Sequence, residues 1–341
     1  MEYDAIIIGA GIAGCNLALD LHVRGQKVLL IDSPNMNRCS RVAAGLMNPI
    51  VPRGVRPTWM RDEIFGKLEE YYSEKEEITN STFFRPLPMH QYISKSNPFE
   101  WTKAVQKLKN IDWIEALDSK KSDFLAFNLK KIYQLDTEKY CETTKRFFKQ
   151  GDSFIELEVD YHSLVFEKEY WTLEGNIRAK SVIFCDGYGV INNPFFKNLP
   201  IIPCTGLISK YQINHNLADK TVIKFKKWAI PDKGGDYLVG STFTANSTDT
   251  KVNLDEREEL EANLKVWSDS YQLVSENKGI RPTVSDRRPI IGEHPEIKGL
   301  YIFNGLGSKG CSLSIIASPA LSEFIINRTE LPAEMDVKRF F

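Results

Sequence analysis

A short amino-terminal region constrains this chain most, because an apolar segment, a glycine-rich turn, a helical stretch and a second apolar segment follow one another directly. The segment YDAIII at residues 3–8 predicts a buried strand, and the turn GAGIAG after it contains Gly9, Gly11 and Gly14. A second apolar segment, QKVLLID, ends at Asp32. This strand–turn–helix–strand order is what a dinucleotide-binding fingerprint requires. The sequence therefore predicts a Rossmann-like nucleotide-binding domain.

The residues of this turn have separate expected tasks. Gly9 allows the tight turn, Gly11 lets the backbone approach a pyrophosphate, and Gly14 lets the helix pack on the strand. Ala13 lies in the first helical turn, where unpaired N–H groups face the phosphates. The carboxylate of Asp32 can accept hydrogen bonds from ribose hydroxyls and would repel a 2′-phosphate, which disfavours NADP. A glycine turn without any ligand is the alternative.

Composition excludes several classes of protein. The chain has 341 residues, 42% of them hydrophobic, with 44 Lys and Arg against 45 Asp and Glu. This is ordinary globular composition, and a net charge of −1 gives no overall electrostatic case for nucleic acid. No apolar run approaches the roughly 20 residues that cross a bilayer. We therefore expect no membrane partner, and a nucleic-acid partner is disfavoured, with a local basic patch as the open alternative.

The cysteines and the first residues indicate a compartment. None of the six cysteines forms a C-x-x-C pair or has metal-ligand spacing, so we expect reduced thiols and no metal site. The sequence MEYDAIIIGAG passes directly from Met1 into a strand, without a basic region or a cleavage site. We expect a cytoplasmic protein.

Two further segments favour a flavin. Residues 40–51, SRVAAGLMNPIV, are unusually apolar and rich in small residues, which fits either a buried connection or backbone lying against a flat ring. Near the carboxyl end, the strand LYIFNG leads into a second glycine turn with Gly305, Gly307 and Gly310, followed by a helix. A second helix N-terminus at the site suits the pyrimidine edge of a reduced flavin, which gains negative charge.

Taken together, the motifs carry a family resemblance. The segments YDAIIIGAGIAG, RVAAGLMNP, VIFCDG, GIRPTVSDRRPIIG and YIFNGLGSKGCSLS resemble the D-amino-acid oxidase, glycine oxidase and sarcosine oxidase family of FAD-dependent oxidoreductases. The resemblance implies an α/β fold in which a Rossmann-like FAD-binding domain is interleaved with an α+β substrate domain on a mixed or antiparallel sheet. We expect the FAD-binding domain at residues 1–85, 136–203 and 279–341, and the substrate domain at 86–135 and 204–278.

The resemblance also implies which residues contact FAD. Beyond the first turn, Asp32 would contact the adenosine ribose and Val159 the adenine region, and Gly187 would lie close to the pyrophosphate. The flavin ring and its pyrimidine edge would lie along two short segments: Ala43, Ala44, Gly45 and Leu46, and Gly307, Ser308, Lys309 and Gly310. The sarcosine-oxidase branch attaches its flavin through a cysteine near the GxRP segment. Since ENKGIRP has none, we expect non-covalent FAD.

Arg281 is the candidate for binding a substrate carboxylate, the role of the GxRP arginine in the family. A guanidinium can hold a carboxylate bidentately, and Pro282 favours an extended backbone before it. The alternative is an arginine paired with a nearby acid such as Asp286.

Other candidates are less defined. Lys309 matches a lysine of the sarcosine-oxidase branch near flavin and substrate, or is a solvated lysine in a glycine turn. Arg53 and Arg56 could form a second anchor, although surface positions are the preferred interpretation. Tyr211 and Tyr237 are candidates for a carboxylate-binding tyrosine.

The periodicity of apolar residues predicts three helices, at residues 56–77, from about Asp136, and across residues 253–273. In the third, Leu254, Leu264 and Tyr271 would belong to one apolar face.

These observations predict an FAD-dependent oxidoreductase that oxidises the C–N bond of a small amino acid or secondary amine by hydride transfer to flavin N5, giving an imine that water hydrolyses. In some relatives a lysine promotes the reduction of oxygen, and the segment DYLVGSTFT has no counterpart of it. The sequence therefore leaves two electron acceptors open, oxygen or another molecule. Two alternatives stay open: an enzyme acting on a modified tRNA nucleoside, and a flavin-binding protein without turnover.

Overall fold

A computed structural model describes residues 1–34, 39–51, 56–96, 113–117, 123–213, 221–268 and 270–341. Two large sheets dominate these residues, one of eight strands and one of nine. Mixed parallel and antiparallel pairing, with helices packed on the sheets, confirms the predicted α/β fold class. The division into two interleaved domains at the boundaries given above stays a prediction.

The eight-stranded sheet carries the nucleotide fold. Its strands are β1 (Glu2–Ile8), β2 (Val28–Asp32), β11 (Phe154–Glu156), β12 (Val165–Glu167), β13 (Tyr170–Leu173), β14 (Ile177–Phe184), β21 (Ile290–Glu293) and β22 (Leu300–Asn304). Strands β11, β2, β1, β14 and β22 lie side by side and parallel, while β12, β13 and β21 add antiparallel pairs. Because β1 and β22 run in the same direction, both glycine turns leave the same edge of the sheet.

Three helices contact strands of this sheet: α1 (Ile12–Val23), α4 (Thr137–Gln150) and α6 (Gly310–Asn327). Two others lie beside it: α3 (Arg61–Thr79) packs on α6, and the short α2 (Cys39–Val42) contacts α4 and the other large sheet. Helix α6 packs against α1 and α3 over a large apolar cluster that also includes residues of β1, β2 and β14. The predicted start of α4 is confirmed, because the Asp136 side chain accepts a hydrogen bond from the Lys139 N–H at 3.1 Å and caps the helix.

The nine-stranded sheet is the second large sheet of the molecule. Its strands are β7 (Met89–Ser94), β8 (Ile114–Leu117), β9 (Phe124–Leu129), β15 (Ile202–Ile213), β16 (Val222–Lys224), β17 (Trp228–Pro231), β18 (Asp236–Gly240), β19 (Thr244–Ala245) and β20 (Tyr271–Thr283). Reading across, β20, β15, β18, β17, β16, β7, β9 and β8 are neighbours, and β19 also pairs with β15. Helix α5 (Leu254–Leu264) packs against one face of this sheet, and the other face points toward the nucleotide fold.

Two small sheets connect the large ones. The first joins β3 (Leu46–Met47), β6 (Phe84–Pro86) and β10 (Tyr133–Leu135), and the second joins β4 (Ile50–Val51) to β5 (Arg56–Pro57). They fix the apolar segment at residues 43–51 between the two halves of the molecule.

Two predicted helices have wrong boundaries. Helix α3 begins at Arg61, not residue 56, because residues 56–57 form β5 and Met60 has a left-handed backbone with φ of 47°. Helix α5 ends at Leu264, and Tyr271 belongs to β20. Leu254 follows the Asn253 cap and is 67% exposed, so it does not belong to an apolar face.

Among the residues that the structure describes, one helix, α6, is long and apolar enough to cross a membrane, and half of it is buried inside the protein.

Candidate active site

Two cavities join between the large sheets. One has a volume of about 430 Å³ and lies beside the amino-terminal glycine turn. The other, of about 390 Å³, lies between the apolar segment at residues 43–51 and the nine-stranded sheet. Both are lined by the same residues at their junction: Ile12, Cys39, Ser40, Gly307 and Gly310. The two glycine turns, some 300 residues apart in sequence, therefore converge on one continuous cleft.

The first turn has the tight geometry that its glycines predict. Gly9 has a φ of 106°, and a Cβ there would lie 2.4 Å from the Cys185 carbonyl oxygen. A Cβ at Gly14 would lie 1.8 Å from the Gly9 oxygen, so Gly14 lets α1 approach the turn and does not line either cavity. Gly11 and Ala13 line the first cavity. Gly11 is the N-cap of α1 and has no side chain to cap it. The Ile12 N–H donates to Ser40 Oγ at 3.0 Å, and the N–H groups of Ala13 and Gly14 point out of the first helical turn, where an anion can bind.

Asp32 lines the first cavity and also holds the turn in place. Its Oδ1 accepts a hydrogen bond from the Ala10 N–H at 2.8 Å, and its Oδ2 lies 3.8 Å from the Lys145 ammonium. The side chain is buried at the end of β2. Asp32 thus has a structural task besides the ribose contact that its position predicts.

The far wall of the first cavity contains Val159 and Gly187, together with Asp186, and the contacts of Val159 and Gly187 with FAD stay a prediction. Gly187 has a φ of 55°, a backbone conformation that favours glycine. Burial raises the pKa of Asp186 to about 6, even though Asn193, Tyr161 and Asn304 donate hydrogen bonds to its carboxylate. Sequence reasoning did not single out Asp186, although it directly precedes Gly187 in VIFCDG.

The segment Ala43 to Leu46 lines the second cavity, and side chains of neighbouring elements fix its backbone by hydrogen bonds. The Ala43 and Ala44 carbonyl oxygens accept hydrogen bonds from Thr137 Oγ1 at 2.8 Å and Gln134 Nε2 at 3.1 Å. Gly45 has a φ of 64°, and a Cβ there would lie 1.8 Å from the Leu135 oxygen. This close backbone contact gives a flat wall of small residues, as a ring-binding surface requires.

The second glycine turn closes the same cavity. Gly307 has a φ of 53° and donates its N–H to the Pro282 oxygen at 2.9 Å. A Cβ at Gly310 would lie 2.8 Å from a methyl carbon of Ile12, so the N-termini of α6 and α1 come together there. Ser308 also lines the cavity.

Lys309 precedes α6 and lies in the cavity wall, half-buried rather than fully solvated. Its Nζ donates to Thr58 Oγ1 at 2.5 Å. Burial lowers the pKa of Lys309, and the positive charges of Arg287, Arg288 and Arg56 lower it further. Arg56 is exposed near this end of the cleft, whereas Arg53 lies outside the described residues.

Arg281 lies in the second cavity with 8% of its surface exposed. Its guanidinium covers Gly206, where a Cβ would come within 2.0 Å of it. Nη1 donates to the carbonyl oxygens of Thr205 and Thr242 at 3.3 and 3.4 Å. The predicted alternative, a pair with Asp286, is wrong, because Asp286 pairs with Arg339 at 3.2 Å. Among the described residues, no carboxylate lies within ion-pair distance of Arg281.

The register of the nine-stranded sheet determines what shares the cavity with Arg281. Ile208 lies opposite Gly240, Gly240 opposite Trp228, and Trp228 opposite Lys224, so these side chains project from one face. Gly206 is two positions from Ile208 along β15, and Gly279 is two positions from Arg281 along β20, so the side chains of Ile208 and Arg281 project from the face to which both glycines belong. The Trp228 indole lies against Gly240, where a Cβ would be 2.8 Å from the ring. Sequence reasoning missed Lys224 and Trp228; their signal was the alternation in TVIKFKKWAI.

The candidate tyrosines are on the other face. Tyr211 and Tyr237 are buried in an apolar cluster with Leu260 and Leu264 of α5. Their prediction as carboxylate-binding residues of this cavity is wrong, because alternation along β15 and β18 points them away from it.

Two cysteines line the second cavity, Cys39 and Cys311. Burial raises the pKa of Cys39, although Arg281 acts in the opposite direction, and burial raises the pKa of Cys311 to about 12. Both are therefore neutral thiols, and neither is activated as a nucleophile. No group of His, Cys, Asp or Glu suited to a metal ion occurs within the described ranges.

The residues present fit an extended dinucleotide with a flat ring. The first cavity offers the N-terminus of α1 for the pyrophosphate and a buried carboxylate for the ribose. The second offers the backbone wall at residues 43–46 and the uncapped N-terminus of α6. FAD has these parts in this order.

Known proteins with similar sequences include two kinds of enzyme. The chain is 24% identical to the tRNA 5-methylaminomethyl-2-thiouridine biosynthesis bifunctional protein MnmC of Leptospira borgpetersenii, over 94% of this chain and 57% of that protein. It thus spans little more than half the length of this relative. It is 22% identical to glycine oxidase of Pseudomonas aeruginosa over 96% of both chains.

A solved structure agrees on the fold. Iminodiacetate oxidase from Chelativorans superposes with a TM-score of 0.81 over 98% of each chain, at 19% identity. Residues 4–323 match the family model described as FAD dependent oxidoreductase, abbreviated DAO. The cofactor is therefore FAD, as predicted, and the chain belongs to the DAO family of FAD-dependent oxidoreductases.

Proposed function

We propose that this enzyme oxidises the C–N bond of a small amino acid or secondary amine that carries a carboxylate. One observation carries the proposal: the buried guanidinium of Arg281 has no carboxylate partner among the described residues and lies in the cavity that fits the flavin ring. A buried cation without a counter-ion is unfavourable until an anion binds. A substrate carboxylate provides that anion.

The protein contributes orientation and charge. Bidentate hydrogen bonds from Arg281 fix one end of the substrate, and Gly206 beneath the guanidinium leaves it room to lie flat on the sheet. Ile208, Met89 and Trp228 provide apolar surface around the amine. Lys309 and the α6 N-terminus stabilise negative charge at the opposite wall.

The bound flavin supplies a hydride acceptor for the carbon next to the nitrogen. No Asp, Glu or His occurs among the described residues that line the second cavity. The substrate therefore binds as the neutral amine, whose lone pair forms the imine as the hydride leaves. Water hydrolyses the imine in a separate step after the oxidation. We propose non-covalent FAD, since both cysteines of the cavity are neutral thiols, and oxygen or another electron acceptor.

Replacing Arg281 tests this proposal. Arg281→Ala should lower kcat/KM for a carboxylated amine by roughly 100- to 1000-fold, because a desolvated charge pair is lost. The matched control is Arg178→Ala, an arginine on the outer part of β14 whose side chain lies 3.8 Å from Glu2 at the surface. The measurement is anaerobic loss of the oxidised flavin absorbance with a panel of amino acids and N-alkylated amino acids. Equal reduction of both variants by every member, or reduction by none, would contradict the proposal.

A second candidate is oxidation of an amine carried by a tRNA nucleoside. It is favoured by the positive charges of Arg56, Arg287 and Arg288 near Lys309, and by similarity to a protein named for thiouridine biosynthesis in tRNA. Phosphates bind such cationic rims with strong salt dependence. Retention of tRNA by the holoenzyme at low salt, lost on raising the salt, would support this candidate; no retention at low salt would dispose of it.

A further inference from the structure

Lys224 is a second buried cation in the substrate cavity. It is the last residue of β16, is 9% exposed, and lines the same cavity as Arg281. Its Nζ donates to the Lys226 carbonyl oxygen at 2.9 Å, and no described carboxylate lies within ion-pair distance. Its neighbour Lys227 differs, because that ammonium pairs with Glu259 at 2.5 Å.

The charge at this position is uncompensated. Burial lowers the pKa of Lys224 to about 8, and the positive charge of Lys227 acts in the same direction. The ammonium is nevertheless charged in most molecules at neutral pH. An anion at this end of the cavity would remove the cost of burying it.

Lys224 and Arg281 are well separated on one surface. Strands β17, β18 and β15 lie between β16 and β20, so the two backbones are four strand spacings apart, about 19 Å. Both side chains project from the cavity face, with the Trp228 indole between them. One small carboxylate cannot reach both cations.

We infer that Lys224 forms a second anion subsite, so that the preferred substrate is an amine with two anionic groups: a carboxylate on Arg281 beside the oxidised C–N bond, and a remote carboxylate or phosphate on Lys224. This inference rests on the proposed function and specifies its substrate class. The apolar chain between the two anions would lie across Trp228.

The test compares matched ligands on the wild-type holoenzyme. N-(ω-carboxyalkyl)glycines of increasing length are compared with N-alkylglycines of the same length, and ω-phosphonates distinguish phosphate from carboxylate. Binding is read from the shift of the flavin spectrum by non-oxidisable dicarboxylates and monocarboxylates, and turnover from anaerobic flavin reduction. A long diacid should bind at least about tenfold more tightly than the monoacid of the same length, since a hydrogen-bonded buried charge pair forms.

Lys224→Met should bring this ratio close to one, and Lys224→Arg should preserve most of it. Lys180→Met, which removes an exposed lysine paired with Asp4, controls for the loss of one positive charge and should leave the ratio unchanged. Flavin content and Tm are measured for each variant, so a folding defect is recognised. The wild-type ratio is a test that needs no variant.

Three results would overturn the inference. One is a wild-type ratio near one with active turnover of monoacids, which would leave the proposed function intact. Another is an unchanged ratio in a folded Lys224→Met protein. The third is a Lys224→Met effect confined to the pH profile of monoacid oxidation, which would make Lys224 a proton acceptor. If no amine reduced the flavin, the proposed function itself would fail, whereas the spectral titration would still report on the subsite.

Discussion

The two faces of the nine-stranded sheet each contain a buried lysine, and the two lysines differ in whether a carboxylate pairs with the ammonium. On the face that packs against α5, Lys278 is 8% exposed and its ammonium lies 2.8 Å from a Glu256 carboxylate oxygen. On the cavity face, Lys224 is 9% exposed and has a backbone carbonyl as its hydrogen-bond partner. Burial is nearly equal, so the difference lies in the counter-ion.

This difference distinguishes a structural face from a binding face. A face that only has to pack satisfies its charges internally, as Lys278 and Glu256 do. A face that has to receive a charged ligand leaves cations unpaired, and Arg281 and Lys224 are both in that condition. Such a binding face lowers the stability of the unliganded fold. Substitutions on the two faces should therefore change stability in opposite directions.

The largest effect is expected on the packed face. Lys278→Met should lower the free energy of unfolding by about 3–5 kcal/mol, because Glu256 would remain buried without its partner. Urea unfolding of the holoenzyme measures this. The double variant Lys278→Met/Glu256→Gln should recover part of the loss. A loss below about 1 kcal/mol would show that the pair is not desolvated.

On the cavity face, replacing a buried lysine should increase the free energy of unfolding. The folded pKa of Lys224, about 8, lies below the ordinary value of 10.5. Lys224→Met should raise the free energy of unfolding near pH 7 by about 1–3 kcal/mol, because the folded protein holds the lysine proton less tightly than the unfolded chain does. The unfolded chain binds more protons between the two pKa values, so wild-type stability rises as pH increases through them.

The advantage of Lys224→Met should consequently shrink toward pH 10, which urea unfolding at both pH values would detect. Destabilisation of Lys224→Met near neutral pH would mean that the bond to the Lys226 carbonyl outweighs the burial of charge.

The smallest change in stability is expected at Gly206. A methyl group there would come within 2.0 Å of the Arg281 guanidinium, a flexible group that can move aside. Gly206→Ala should alter Tm little but lower kcat/KM for a carboxylated amine by about 10- to 100-fold, because it displaces the anchoring group. Gly66→Ala, in the exposed part of α3 where a Cβ meets nothing within 4 Å, is the matched control. Unchanged kinetics in Gly206→Ala would argue against Arg281 as the anchor.

Sequence predicted the nucleotide fold well because its signals are local. The turn at Gly9 to Gly14, the strand ending at Asp32 and the second turn at Gly307 each fall within a short stretch with characteristic spacing. Their convergence on one cleft follows from the parallel direction of β1 and β22, which this type of fold imposes.

The substrate face was less predictable because it depends on strand register. A shift of one residue reverses the face of every side chain in a strand, and nothing local to Tyr211 or Tyr237 shows that they point toward α5. Lys224 was missed for the same reason: it lines the cavity of Arg281 only because five strands pair in a particular register, which the local sequence does not show.

Anaerobic flavin reduction by an N-alkylglycine and by its amide, in the wild-type holoenzyme, decides whether Arg281 anchors the substrate through its carboxylate. The two amines share the carbon and nitrogen to be oxidised and differ in the group that Arg281 would bind. We expect the free acid to bleach the oxidised flavin absorbance and the amide to do so at least about 100-fold less efficiently, because the charge pair with Arg281 is lost. Equal bleaching by acid and amide would contradict the proposed function.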